Sequence, residues 1–158
     1  MLYAEVLRLC YAAYREFTSV NVCSKALRER RKLLLYGECV RDEHPGVFRE
    51  FSEGRVALAV CLEREHMNIV GFKLAGLLAR LELEELVVLT VDGSPHCVQL
   101  HFVAEEAERV SGKEVPRRHF VIEGGRALEI EPEYVKIARY LSRVKRLAER
   151  INTRAENR

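Results

Sequence analysis

Cys61 and His66 follow one short apolar run, RVALAVCL (55–62), while Asp92, His96 and Cys97 follow another, ELVVLTV (85–91). Runs that short and that apolar read as strands buried on both faces. Two such strands lying side by side run about 4.8 Å apart. Their carboxyl ends would then bring together an imidazole pair, a carboxylate and two thiols that lie far apart along the chain. Three chemistries suit that set. A thiol in the first turn of a helix feels free N–H groups and a positive partial charge, which favours a nucleophilic thiolate. Cys97 would be that nucleophile, with His66 or His96 as base. Thiolates also bind soft metals, and all-cysteine sites hold zinc or an iron–sulfur cluster. Thirdly, the turn Asp92–Cys97 can receive an anion at a helix start, through Asp92, Ser94 and His96.

The chain has five cysteines, Cys10, Cys23, Cys39, Cys61 and Cys97, with no CxxC pair. An odd number at wide spacing argues against a secreted disulfide framework. Cys39, Cys61, Cys97 and Cys23 are the candidate metal ligands. One geometric objection applies: with 24–36 as a straight helix, Cys23 and Cys39 stand about 20 Å apart at 1.5 Å per residue. Cys39 is therefore the better ligand of the two. Plain alternatives stand beside each assignment. Free cysteines often merely pack, which suits Cys10 on an apolar helix face and Cys61 in an apolar strand. Asp92-Gly93 suits a simple turn, and Ser94 suits a helix cap. His101 and His119, in apolar surroundings, read as structural. The phosphate loops GxGxxG and GxxxxGK[ST] are absent. The basic run LRERRK (27–32) reads as a solvated helix face rather than an RNA contact.

The stretch VLTVDGSPHCVQLHFVAEEAERVSG, with RRHFVIEGG a few residues later, resembles part of a prokaryotic, mainly archaeal family without a defined activity, loosely associated with iron–sulfur proteins. The resemblance spans residues 55 to 125. It implies Cys61 and Cys97 as ligands, although the close CxxCxxC spacing of ferredoxins is missing.

The elements that must position these residues can be read from periodicity. Apolar residues recur at helical steps over 2–17 (Leu2, Val6, Leu9, Cys10, Ala13, Phe17) and over 24–36, with Gly37 as a stop. Residues 38–46 read as a loop and VFREF as a short helical turn. After the first strand, 68–81 reads as a helix capped by Asn68. After the second, 95–111 reads as a helix, with Pro95 at its first position and Gly112 as its stop. RRHFVIEGGRALEI reads as a hairpin turning at Gly124-Gly125. A final helix starts at Pro132 and carries Val135, Ala138, Leu141, Val144, Ala148 and Ile151 on one face. Strand–helix alternation predicts a small three-layer Rossmann-like α/β domain. Its sheet is mainly parallel with an antiparallel edge hairpin, and two N-terminal helices precede it. The expected organisation is a helical subdomain over 1–54, the α/β domain over 55–151 and a frayed tail over 152–158.

Composition sets the outer bounds. The chain has 158 residues, 48% hydrophobic and 32% charged, with a net charge of +2. This suits a globular domain and gives no general attraction to nucleic acid or anionic membranes. No apolar run reaches the ~20 residues of a membrane span. The N-terminus lacks the basic head and apolar middle of a secretory signal, so the expected location is the cytoplasm. An unknown protein partner is left open, and the oligomeric state is not read from the sequence. Arginine outnumbers lysine 20 to 6, with four asparagines and one glutamine, a balance expected of a thermophile. The expected function is a metal- or iron–sulfur-binding redox accessory module. A metal-free anion-binding module and a thiol enzyme are the alternatives.

Overall fold

The computed structural model describes residues 14–156. Five strands form one sheet in the order β2-β1-β3-β4-β5. They are β1 (Lys32–Gly37), β2 (Val56–Val60), β3 (Glu85–Val91), β4 (Arg117–Glu123) and β5 (Arg126–Ile130). The pairs β1–β2, β1–β3 and β3–β4 are parallel. Only β4–β5 is antiparallel, a hairpin turning on Gly124 and Gly125, both with positive φ. The helices are α1 (Lys25–Arg30), α2 (Glu38–Glu43), α3 (Pro45–Ser52), α4 (Met67–Arg80), α5 (Pro95–Ser111), α6 (Pro132–Ala138) and α7 (Leu141–Glu156). The three-layer α/β fold expected from the alternation is therefore present.

β1 organises the molecule. Leu33 and Leu35 point into a core shared with α1, α4 and α5, and Leu34 and Tyr36 into a second core with Val40 of α2 and Phe48 of α3. All four strand residues are essentially without solvent contact, and burying a leucine contributes about 1.5–3 kcal/mol. From β1 the chain crosses by α2 and α3 to β2 on one side. It then returns by α4 to β3 on the other side, and α5 carries it on to β4. Right-handed crossovers running in opposite directions place helices on opposite faces. Hence α2 and α3 cover one face, and α4 and α5 the other.

Several expectations need correction. The helix expected over 24–36 ends at Arg30, and β1 begins almost at once. Arg31 makes the break in a left-handed conformation (φ 54°). Its side-chain Nε–H donates to the Glu82 carbonyl at 2.8 Å, and its own carbonyl accepts from Glu84 N–H at 2.7 Å. β2 and β3 are parallel near neighbours, within the expected arrangement, but with β1 inserted between them. The sheet thus takes a central strand from the segment expected to be a helical subdomain. Gly37 ends a strand and is the N-cap residue of α2, which occupies the expected loop. His66, not Asn68, is the N-cap residue of α4. Of the helix expected over 2–17, residues 1–13, including Cys10, lie outside the described residues. Its described end is extended, with Glu16 bridging Ala59 and a single 3-10 turn at Phe17–Ser19. The last helix is two, broken at Arg139-Tyr140, and helix α7 continues through the expected frayed tail to Glu156. Among the described residues no helix is long and apolar enough to cross a membrane.

Candidate functional site

Parallel strands that start level end level, so the segments leaving their carboxyl ends gather at one edge of the sheet. Gly37 pairs with Val60 across β1 and β2, and Tyr36 pairs with Leu89 across β1 and β3. Cys39 comes two residues after the end of β1, Cys61 directly after β2, and Cys97 at the start of α5. All three line one cavity of about 50 Å³, together with Gly37, Glu38, Glu63, Ser94 and His96. It sits where the chain reverses direction about β1, the place at which open α/β sheets take their ligands.

Each wall has a local cause. Gly37 leaves room: a Cβ there would lie 3.6 Å from Cys97 Sγ and 3.8 Å from Thr90 Cα. Pro95 opens α5, and the Cys97 N–H donates to the Ser94 hydroxyl at 3.4 Å. Val98 N–H turns back to the Ser94 carbonyl at 3.1 Å. Proline has no N–H, so little of this helix start is left over for an anion. Glu38 forms part of the wall and is held from behind: the Tyr14 hydroxyl donates to it at 2.5 Å and Arg64 pairs with it at 2.6 Å. Loss of water, then the bond to Glu38, pushes the Tyr14 pKa up to about 12. Glu63 is exposed and stands 4.0 Å from His96 Nδ1. Although Cys39 is exposed as a residue, its thiol is raised. Loss of water is the main cause, countered by a backbone hydrogen bond, with Cys97, Glu43 and Cys61 adding to the rise.

The expected residues divide accordingly. Cys39, Cys61, Cys97, Ser94 and His96 meet at the cavity. Cys23 does not line it: it is exposed and precedes α1, with its N–H bonded to Asn21 Oδ1 at 2.8 Å. Asp92 is exposed, and its N–H donates to the Ile122 carbonyl. His66 is the N-cap residue of α4 without a side-chain cap bond, is exposed and does not line the cavity, whereas His96 does. Among the described residues no group of three or more His, Cys, Asp or Glu side chains is close enough to hold a metal ion. The three thiols share a cavity without being drawn into a ligand set.

Beneath the cavity runs a polar chain that periodicity did not reveal. Thr90, His101 and His119 are buried. Arg117 Nε donates to His119 Nε2 at 2.8 Å, His119 and His101 meet through their Nδ1 atoms at 2.9 Å, and His101 Nε2 meets Thr90 Oγ1 at 2.9 Å. Guanidinium can only donate, which fixes every proton along the line. His119 carries its proton on Nδ1 and gives it to His101; His101 carries its own on Nε2 and gives it to Thr90. Both rings are neutral. Burial pushes His101 down to about 4. Burial, then His101 and Arg117, pushes His119 down to about 3. The only sequence signal was two histidines in apolar settings, and their structural reading agrees with this burial.

A family model described as Rossmann-like domain matches residues 25–155. The chain belongs to that family. No curated protein matches the chain, and no solved structure does. The match begins at α1 and runs into α7, so the Rossmann-like unit takes in β1 and both faces of the sheet. It brings the fold and carries no link to iron–sulfur chemistry.

Proposed function

We propose that this Rossmann-like domain binds a single soft metal ion, zinc or cuprous copper, through Cys39, Cys61 and Cys97. The observation that carries the reading is that three thiols, each coming after a different strand, line one cavity. Its other ionisable walls are the carboxylates Glu38 and Glu63 and the imidazole of His96. The two carboxylates and the imidazole suit a cation better than an anion, and the bonded Cys97 and Val98 amides at the α5 start weaken the anion reading further. Thiolate ligands select soft ions. A cavity of about 50 Å³ has room for an ion with bound water. Binding draws the sulfurs inward and expels their protons. The raised Cys39 thiol makes affinity fall as the pH is lowered.

Titration of reduced, anaerobic protein with cobalt(II), followed by zinc displacement, tests the reading. The expected result is one ion per chain and a thiolate-to-cobalt charge-transfer band. Cys39→Ser, Cys61→Ser and Cys97→Ser should each weaken binding by at least about tenfold, the lower end of what disturbing a metal site costs. Cys23→Ser should leave it unchanged. Gly37→Ala, whose methyl would stand against Cys97 Sγ, should weaken binding without unfolding the protein. Absence of stoichiometric binding, or indifference to all three cysteine substitutions, would overturn the proposal.

A further inference from the structure

Among the described residues two apolar surfaces are left without a partner. The first is a groove of about 500 Å³ between α4 and α5, lined by Met67, Phe72, Phe102, Val110, Glu106 and Arg139 among others. Phe72 is 85% exposed and Val110 70%. Contiguous exposed apolar surface of this kind marks an interaction site. The second is α7. Leu141, Val144, Leu147 and Ile151 recur along it at three- and four-residue steps, and all four are exposed. An amphipathic helix forms stably when its apolar stripe is covered, and here nothing in the chain's own described fold buries it.

We propose that the protein forms a two-fold dimer in which α7 of each copy lies in the α4–α5 groove of the other. Two features, the dimensions and the connection, favour a second copy of the chain as the occupant. The dimensions agree: the stripe from Leu141 to Ile151 spans about 15 Å, and the groove's lining runs nine residues on α4 and nine on α5, about 12 Å. The charges do not oppose it: the groove's Glu106 and Arg139 are already paired with Arg109 and Glu105, so it presents no net positive charge to Arg143, Lys145, Arg146 and Arg150 of α7. The connection also agrees. Arg139 lines the groove and α7 starts at Leu141, so only Tyr140 separates the two surfaces. Copies that approach groove to groove bring each α7 beside the other's groove, and the reciprocal contact closes under two-fold symmetry.

Light scattering coupled to size-exclusion chromatography, on the full chain at tens of micromolar, tests this. The expected mass is a dimer's. Phe72→Glu and Ile151→Glu alter exposed positions, so circular dichroism should be unchanged, and each should weaken association by at least about tenfold, the equivalent of ~1.4 kcal/mol. A monomeric wild-type chain overturns the proposal, and this is also the outcome if residues 1–13 cover the groove. Dissociation by Ile151→Glu alone would mean that α7 pairs with α7. Dissociation by Phe72→Glu alone would mean that groove packs on groove. Either result overturns the exchange of helices.

Discussion

His101 and His119 share one hydrogen bond inside the protein, and each ring is held far below the pH at which histidine ordinarily takes up a proton. In the unfolded chain both titrate near ~6.5. Below that pH the unfolded chain binds protons that the folded chain refuses until about 4 for His101 and about 3 for His119. Acid therefore favours unfolding. Stability present above pH ~6.5 should be lost progressively as the pH falls toward these values. Urea unfolding between pH 7.5 and 4.5 should show the midpoint falling with acidity. The double substitution His101→Leu, His119→Leu should flatten that part of the profile. It should also lower stability at pH 7.5 by about 1–3 kcal/mol, because Thr90 and Arg117 lose buried partners. An unchanged profile in the double variant would place the acid sensitivity in other groups.

The junction between α1 and β1 depends on one non-glycine residue in the left-handed region, Arg31 at φ 54°. That conformation costs about 1–2 kcal/mol, and the side-chain bond to the Glu82 carbonyl helps to offset it. Arg31→Ala keeps the cost and loses the bond, so it should destabilise the protein by about 1 kcal/mol. Arg31→Gly removes the cost as well and should come out the more stable of the two variants in urea. The opposite order would mean that the left-handed geometry is not what the arginine holds. This junction also explains why β1 was illegible. No glycine or proline punctuates 24–36, and Leu33 to Tyr36 are buried on both faces. There is no two-residue alternation to interrupt the helical pattern. The α5 helix was legible because Ser94, Pro95 and Gly112 mark its ends.

At the scale of the molecule, α7 stands apart from the core: every residue from Leu141 to Thr153 is exposed. A chain ending at Tyr140 should therefore keep its fold. In dilute solution its urea midpoint should lie close to that of the full chain, while at tens of micromolar it should run as a monomer. A large loss of stability in the dilute truncated protein would mean that α7 covers the core after all. The thiol cavity lies at the carboxyl edge of the sheet, lined by residues from other segments than the α4–α5 groove. Metal binding should accordingly be the same in the Phe72→Glu protein as in the wild type.

Periodicity and punctuation by themselves determined the layered α/β class, four of the five strands, the ends of α5 and the turn of the hairpin. These are local properties: a strand buried on both faces is short and apolar, and a helix end needs a cap or a stop. They also placed Cys61 and Cys97 at one edge, because parallel strands deliver their outgoing segments on the same side. Tertiary structure alone decided that β1 lies between β2 and β3, since strand order depends on which strands exchange hydrogen bonds. With β1 in place, Gly37 and Glu38 arrive at the same edge together with Cys39, a candidate already named from the sequence, and all three line the cavity with Cys61 and Cys97. The histidine line was likewise out of reach of the sequence. Its members come from β3, α5 and β4, and only packing brings their rings within hydrogen-bonding distance.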